Sequence, residues 1–320
     1  MIDVIFFAYD DFANVGFEFV ESLKAIGIGA TGLKCVDHPF NYVGELPVAR
    51  SEWEFFACSR SVPNIIYMQS VRVPVGAVPK DRRYKKLFLF VGDQEYRFMP
   101  ERTLSFYPSI ERLFYQTGEL AGFSPYPESW LLPAIDTDFI KTRQDYSYSG
   151  PIRVQHTPRD PNAKGSVHIN NVMYKLQQDP ELKNKFTYTY RQHEKVSWID
   201  NIHRMDDCDI YIESQAYTID RKGDSRILGE FGVTAMECAS LSKIVVTCFN
   251  SYDKYTEEFK NEAAIYPANS EEQLEVTLRK LLILPREQVR REQEKTRQWV
   301  ANYHGRKATG LRLKTLLDIQ

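Results

Sequence analysis

Arg159, Lys164 and Gly165 lie on one short polar stretch, His156-Thr157-Pro158-Arg159-Asp160-Pro161-Asn162-Ala163-Lys164-Gly165-Ser166. An apolar run that reads as a strand precedes it, and a periodic run that reads as a helix follows. Two cations and the free N–H groups of a helix start can face one phosphate group in such a place. Gly165 lets the backbone approach closely. The same stretch also reads as a solvated polar turn before a helix.

A second stretch runs from Leu228-Gly229-Glu230-Phe231-Gly232-Val233 through Glu237 to Ile244-Val245-Val246-Thr247. Phe231-Gly232 ends a loop, 233–241 reads as a helix and 243–247 as a buried strand. Glu237 stands among Val233, Ala235, Met236 and Ala239. A carboxylate there costs free energy unless it has a partner. A bound sugar hydroxyl, such as a ribose, would supply one. An exposed helix face is the other reading.

In the first half, Asp10 to Phe17 follows the first strand, with Asn14 and Gly16 at a helix start. Val91 to Arg97 follows another strand and holds Asp93, Glu95 and Arg97. Gly16 at the helix start permits close ligand approach, or the stretch is a plain turn; Asp93, Glu95 and Arg97 suit hydroxyl recognition, or form a surface salt-bridge cluster. The run 80–86 is densely basic; it suits a phosphate-rich partner, including DNA, or a solvated loop. His156, His168, His193 and His203 have no metal-ligand spacing, and the five cysteines form no CxxC pair, so no metal site and no disulfide framework are expected.

These residues need a scaffold. A chain of 320 residues has room for two domains. Its 43% hydrophobic and 13% aromatic content excludes a disordered chain. A net charge of −2, from 41 basic and 43 acidic residues, gives no average attraction to nucleic acid. No apolar run approaches a membrane span, and the start lacks a basic n-region, so a cytoplasmic protein is expected. Strands are predicted at 3–7, 32–36, 64–68, 86–91, 112–116 and 130–132, with a helix over 15–26. In the second half strands are predicted at 152–155, 186–190, 209–213 and 244–247. Helices are predicted over 166–178, 198–206, 233–241, 251–260, 271–284 and 286–303. Strand–helix–strand alternation demands parallel sheets. The expected fold is α/β, two Rossmann-like doubly wound domains facing a central cleft. Residues 1–140 are expected to form the first domain and 141–300 the second. A C-terminal helix lies in 301–320, and 134–151 reads as the linker.

The two motif stretches together resemble the donor-binding half of GT-B glycosyltransferases of the retaining GT4 family (glycosyltransferase group 1). Arg159 and Lys164-Gly165 keep that family's spacing for the donor pyrophosphate. Phe231-Gly232, Glu237 and 244–247 match its Glu-x7-Glu motif and the strand after it. The segment 132–139 resembles its entry to the second domain. The resemblance covers roughly 130–247, and the first half only in rhythm. It implies a nucleotide-sugar donor of UDP or GDP type, with no tightly bound cofactor. Arg159, Lys164, Gly165, Phe231, Gly232, Val233 and Glu237 would bind the donor. Glu230 and Asp93 would be the catalytic carboxylates, and Asn14, Gly16 and Arg97 would meet the acceptor. It also implies retention without a metal. One departure stands out: the family's first Glu falls at Gly229, and the carboxylate is one residue later, at Glu230. The loop 216–228 would fold over the donor or form a surface insertion. Three other readings fit the same residues. One is this chemistry on a hydroxymethylated pyrimidine in DNA, another a non-catalytic nucleotide-sugar-binding protein, and the third a nucleotide-sugar epimerase.

Overall fold

The computed structural model of the chain describes residues 1–68, 85–92, 94–107, 109–143, 148–192, 196–215, 217–221 and 224–320; of 217–221 and 224–228 it describes the backbone. These residues form two compact units, Met1–Asp136 with Tyr303–Gln320, and Thr137–Asn302.

The first unit is a six-stranded parallel sheet. Its strands are β1 (Val4–Ala8), β2 (Ala30–Lys34), β3 (Asn64–Met68), β4 (Lys86–Val91), β5 (Arg112–Tyr115) and β6 (Glu128–Trp130), in the order β2-β1-β3-β4-β5-β6. Every residue of β1 and β3 is buried. That suits parallel strands covered on both faces. Phe19 of α1 (Val15–Lys24) packs its ring edge on Phe90 at 5.3 Å and tilts over Phe6 at 6.0 Å. The C-terminal helix α11 (Arg306–Leu316) lies against α1. Gly310 allows this approach, because a Cβ there would come within 2.2 Å of the Ser22 carbonyl oxygen. Arg306 then pairs with Glu18 at 2.8 Å and with Asp136 at 2.7 Å.

Helices α2 (Glu52–Ser59), α3 (Gln94–Phe98) and α4 (Pro100–Ser105) were not anticipated; the last two are too short to show a helical period. The strand expected at 32–36 lies two residues earlier, because Cys35 and Val36 leave the ladder and donate to the Tyr9 carbonyl. The strand expected at 130–132 ends at Trp130.

The second unit is a five-stranded parallel sheet. Its strands are β7 (Ile152–His156), β8 (Phe186–Tyr190), β9 (Ile210–Ile212), β12 (Ile244–Thr247) and β13 (Tyr266–Pro267), in the order β13-β12-β9-β7-β8. Helices α5 (Ser166–Gln178), α6 (Trp198–Asp206), α7 (Val233–Ser240), α8 (Tyr252–Phe259), α9 (Glu271–Leu282) and α10 (Arg286–His304) complete it. Ile169, Val172, Met173 and Leu176 of α5 bury fully against Ile152 and Val154 of β7 and Leu274 and Leu278 of α9. Each such side chain contributes about 1.5–3 kcal/mol of burial. The stretch 216–228 contains an antiparallel hairpin, β10 (Tyr217–Arg221) with β11 (Asp224–Leu228). Only Tyr217-Thr218-Ile219-Asp220 alternates apolar and polar residues, too short a run to set it apart from a charged loop.

The segment 134–151 is more than a tether. Ser240 Oγ donates to the Ile140 carbonyl, Thr142 Oγ1 and the Arg143 N–H donate to Asp206, and Arg286 donates to the Gly150 carbonyl.

From β7 the chain moves outward to β8, then returns to place β9 on the other side of β7. The loops after β7 and β9 therefore diverge at their carboxyl ends. Such a switch point is where open α/β sheets bind ligands.

Candidate functional site

His156, the last residue of β7, bridges the switch point. Its fully buried ring donates from Nδ1 to the Ile212 carbonyl at the end of β9, at 2.8 Å. Nε2 accepts from Ser166 Oγ at 2.8 Å. A carbonyl can only accept, so Nδ1 carries a proton. Burial, with the Lys164 charge nearby, pushes its pKa down to about 4.

Asp160 shapes the loop after β7. Its carboxylate accepts the N–H groups of Asn162 and Ala163 at 2.9 and 3.2 Å. Gly165 ends the loop with φ +61°, and a Cβ there would lie 2.8 Å from the Gln215 carbonyl oxygen. Only glycine meets both demands. Arg159 is exposed and Lys164 half-buried.

The centre of the site is the last residue of the strand expected at 209–213. Glu213 follows β9 and is 2% exposed. Its Oε1 accepts from Lys164 Nζ at 2.9 Å and from the Gly232 N–H at 3.0 Å. Its Oε2 accepts from Thr247 Oγ1 at 3.0 Å. Three donors offset the desolvation of the buried carboxylate. Gly232 leaves room for it, since a Cβ would sit 3.0 Å from Oε1. One carboxylate thus ties the loop after β7, the start of α7 and the end of β12 together. The signal was a carboxylate closing an otherwise apolar strand, Ile210-Tyr211-Ile212-Glu213, in a sheet whose strand ends form ligand sites.

Gly232 caps α7, whose first residues Val233 and Thr234 are half-buried. Phe231 is 1% exposed and packs its ring among Phe249, Tyr255 and Trp299. It therefore anchors the loop in the core. Glu237 is buried on α7, and its partner is Trp198, whose Nε1 donates to Oε1 at 2.6 Å. Trp198 in turn stacks on Phe139 at 5.9 Å.

At Gly229 a Cβ would come within 2.1 Å of Cys248 Sγ. No carboxylate fits there, which explains its shift to 230. Glu230 Oε1 accepts the N–H and Oγ–H of Ser251, the cap of α8, at 3.1 and 2.5 Å.

In the first unit, Asn14 Nδ2 donates to the Gly44 carbonyl at 2.9 Å. The Gly16 N–H donates to Asp11 Oδ1 at 2.6 Å, and a Cβ at Gly16 would lie 2.8 Å from that oxygen. The glycine thus serves a capping carboxylate. Asp11, Ala13 and Asn14 all have positive φ, 49°, 55° and 58°. Arg97 is 9% exposed and pairs with Glu119 at 2.7 Å. Asp93 lies outside the described residues. So does the basic run except Lys85 and Lys86; Lys86 pairs with Asp318 at 3.2 Å.

The sequence holds two Asp-x-Asp triplets, 136–138 and 207–209. Asp136 pairs with Arg306, and Asp209 with Arg153 and Arg286. Among the described residues, no group of three or more His, Cys, Asp or Glu is arranged to hold a metal ion, and no helix is long and apolar enough to cross a membrane.

The sequence matches no family model and no curated protein. Solved structures do resemble it. An α-glucosyltransferase in complex with UDP and a 13-mer DNA superposes with TM-score 0.65 and 13% identity, over 100% of both chains. Anabaena HepE in complex with UDP gives TM-score 0.65 and 11% identity, again over 100% of both. Sucrose-phosphate synthase from Thermosynechococcus elongatus gives 0.60 and 11%, over 99% of this chain and 98% of that one. The chain has the GT-B glycosyltransferase fold. In this GT-B chain the Lys164 ammonium and the start of α7 meet on one oxygen, Glu213 Oε1, at the switch point of the second sheet. A cation beside a helix N-terminus is a site for a phosphate.

Proposed function

We propose that the chain transfers a sugar from a nucleotide sugar, bound by the unit Thr137–Asn302, to an acceptor hydroxyl. The meeting of Lys164 and the α7 start on Glu213 carries this assignment. Lys164, Arg159 and the first N–H groups of α7 neutralise the diphosphate as charge grows on it. That electrostatic stabilisation is made ready before reaction by the buried Glu213. Gly165, Gly232 and Val233 let the backbone approach the phosphates, and Phe231 fixes their loop in the core. Glu237, oriented by Trp198, takes the ribose hydroxyls. Uridine is the base favoured, since three solved neighbouring structures are described with UDP or UDP-glucose.

The sugar carbon passes through an oxocarbenium-like state. Retention without a metal follows from the GT4 resemblance and belongs to the same proposal. Glu230, turned toward Ser251, acts in it by holding the loop to α8. Asn14, Gly16, Asp93 and Arg97 belong to the acceptor side, and Gly16 and Arg97 act there through Asp11 and Glu119.

A second reading of the acceptor has one observation in its favour: a structural neighbour is described as bound to DNA as well as UDP. In that reading the acceptor is a hydroxymethylated pyrimidine in DNA. It is tested by labelled sugar transfer from UDP-glucose to DNA with and without the hydroxymethyl group. A thermal-shift screen of UDP, GDP and their sugars tests the donor assignment. UDP compounds are expected to raise Tm; no shift with any nucleotide sugar would overturn it.

A further inference from the structure

Away from the switch point, the second unit carries an open polar groove. Along β7 and β8, Val154, Phe186 and Tyr188 face α5. The alternate residues Arg153, Gln155, Thr187 and Thr189 face the other way, and Arg153 pairs in register with Thr187 and Gln155 with Thr189. β8 is the edge strand, and α6 covers this face only in part.

A cavity of about 580 Å³ opens there, lined by Arg143, Arg153, His203, Arg204 and their neighbours. A second cavity of about 100 Å³ adjoins it and continues past Thr187 and Thr189 to Arg191; the two share Arg153, Arg204 and Asp207. The groove is therefore flanked by four arginines in sequence, Arg143, Arg153, Arg204 and Arg191. Asp209 neutralises Arg153 at 3.3 Å. Asp206 is already committed to Lys243, Thr142 and the Arg143 N–H. The guanidinium groups of Arg143, Arg204 and Arg191 enter no hydrogen bond or ion pair among the described residues, whose carboxylates in the lining are Asp207 and the already paired Asp206. The lining keeps net positive charge and a floor of hydroxyls.

We infer that this groove binds the phosphodiester backbone of a nucleic-acid strand. Separate guanidinium groups along a groove match repeated phosphates better than a single anion, and Arg takes phosphate oxygens bidentately. Thr187 and Thr189 add hydroxyl donors. Tyr148, against Arg153 at 4.4 Å and Arg286 at 4.9 Å, and Tyr190, stacked on His156 at 5.8 Å, border the groove, so the arginines carry the inference. The balanced net charge of the chain does not oppose this, because a strand meets the local field. The groove runs the length of β7 and β8 and ends at Arg191, whose N–H donates to the His156 carbonyl. Arg143 and Arg204 line its other part, beside Arg153 near the start of β7, so substituting them does not touch Lys164 or rest on the donor assignment.

The test is fluorescence anisotropy of the whole chain with a labelled single-stranded oligonucleotide and with its duplex. Titrations at about 50 mM and about 200 mM salt report phosphate contacts through the loss of affinity. Arg143→Ala with Arg204→Ala is expected to weaken binding about tenfold and flatten the salt dependence. Tm and UDP affinity should not change, because neither side chain holds the fold. Arg143→Lys with Arg204→Lys should recover most of the affinity. The form bound more tightly identifies single strand or duplex as the ligand. Binding unchanged in the alanine pair would overturn the proposal. So would no binding by the wild type at low salt, equal binding of poly-glutamate, or full competition by inorganic phosphate at matched phosphate concentration.

Discussion

Lys164 Nζ and the Gly232 N–H converge on one buried oxygen, Glu213 Oε1, at 2.9 and 3.0 Å. The carboxylate orients both groups and also offsets the charge that Lys164 offers to a diphosphate. These two effects separate by substitution.

In Glu213→Gln, Oε1 keeps both donors, and the new amide donates to Thr247 Oγ1 in place of accepting from it. The fold is expected to survive. Lys164 then loses its compensating charge, and UDP should bind about tenfold more tightly. Glu213→Ala instead strands the buried donors, costs about 3 kcal/mol of stability and weakens UDP. Calorimetric titration and urea unfolding measure the pair. Unchanged UDP affinity in Glu213→Gln would mean that Lys164 does not face the phosphates.

Gly165→Ala puts a Cβ against the Gln215 carbonyl on a backbone with φ +61°. We expect a loss of about 2 kcal/mol and weaker UDP binding, because the loop carrying Lys164 must move. Unfolding curves indistinguishable from wild type would contradict this.

Glu237→Ala should weaken UDP about tenfold or more while leaving 2′,3′-dideoxy-UDP nearly unaffected, since the lost partner is a pair of ribose hydroxyls. Trp198→Phe removes the 2.6 Å hydrogen bond to Glu237 and should produce a smaller change in the same direction. Equal losses for both nucleotides would remove Glu237 from the ribose.

His156 gives a pH signature. Its pKa is about 4 in the fold against an ordinary 6.5. Below pH 6.5 the unfolded chain takes a proton that the folded chain refuses, so this group's stability contribution falls until about pH 4. The loss amounts to about 3 kcal/mol at the lower end. Asp11, pushed up to about 7 by burial, acts with the opposite sign. The His156 part is therefore read as a difference: between pH 6.5 and 4, wild type should lose stability relative to His156→Gln. Parallel pH profiles would contradict it.

Sequence and structure agree best where chemistry and periodicity coincide. The strands at 64–68, 86–91, 186–190 and 244–247 and the helices over 166–178 and 198–206 lie where the sequence places them, because apolar spacing alone defines them. The loop holding Arg159 and Lys164 was legible as a cation pair before a helix. Glu213 was not, because its importance comes from Lys164 and Gly232, which are distant in sequence. The same holds for Trp198 as partner of Glu237, and for Gly16, whose neighbour is the Asp11 carboxylate rather than a ligand. Gly229 looked like a missing carboxylate; the Cys248 sulfur beside it shows that no side chain fits.

Titration of UDP into wild type and Lys164→Ala tests the donor assignment most directly. Wild type is expected to bind, and Lys164→Ala to stay folded with a lowered Tm, because buried Glu213 loses its ion pair, and to bind at least about tenfold more weakly. UDP affinity unchanged in Lys164→Ala, or no binding by the wild type, would contradict a diphosphate site at the meeting of Lys164 and α7.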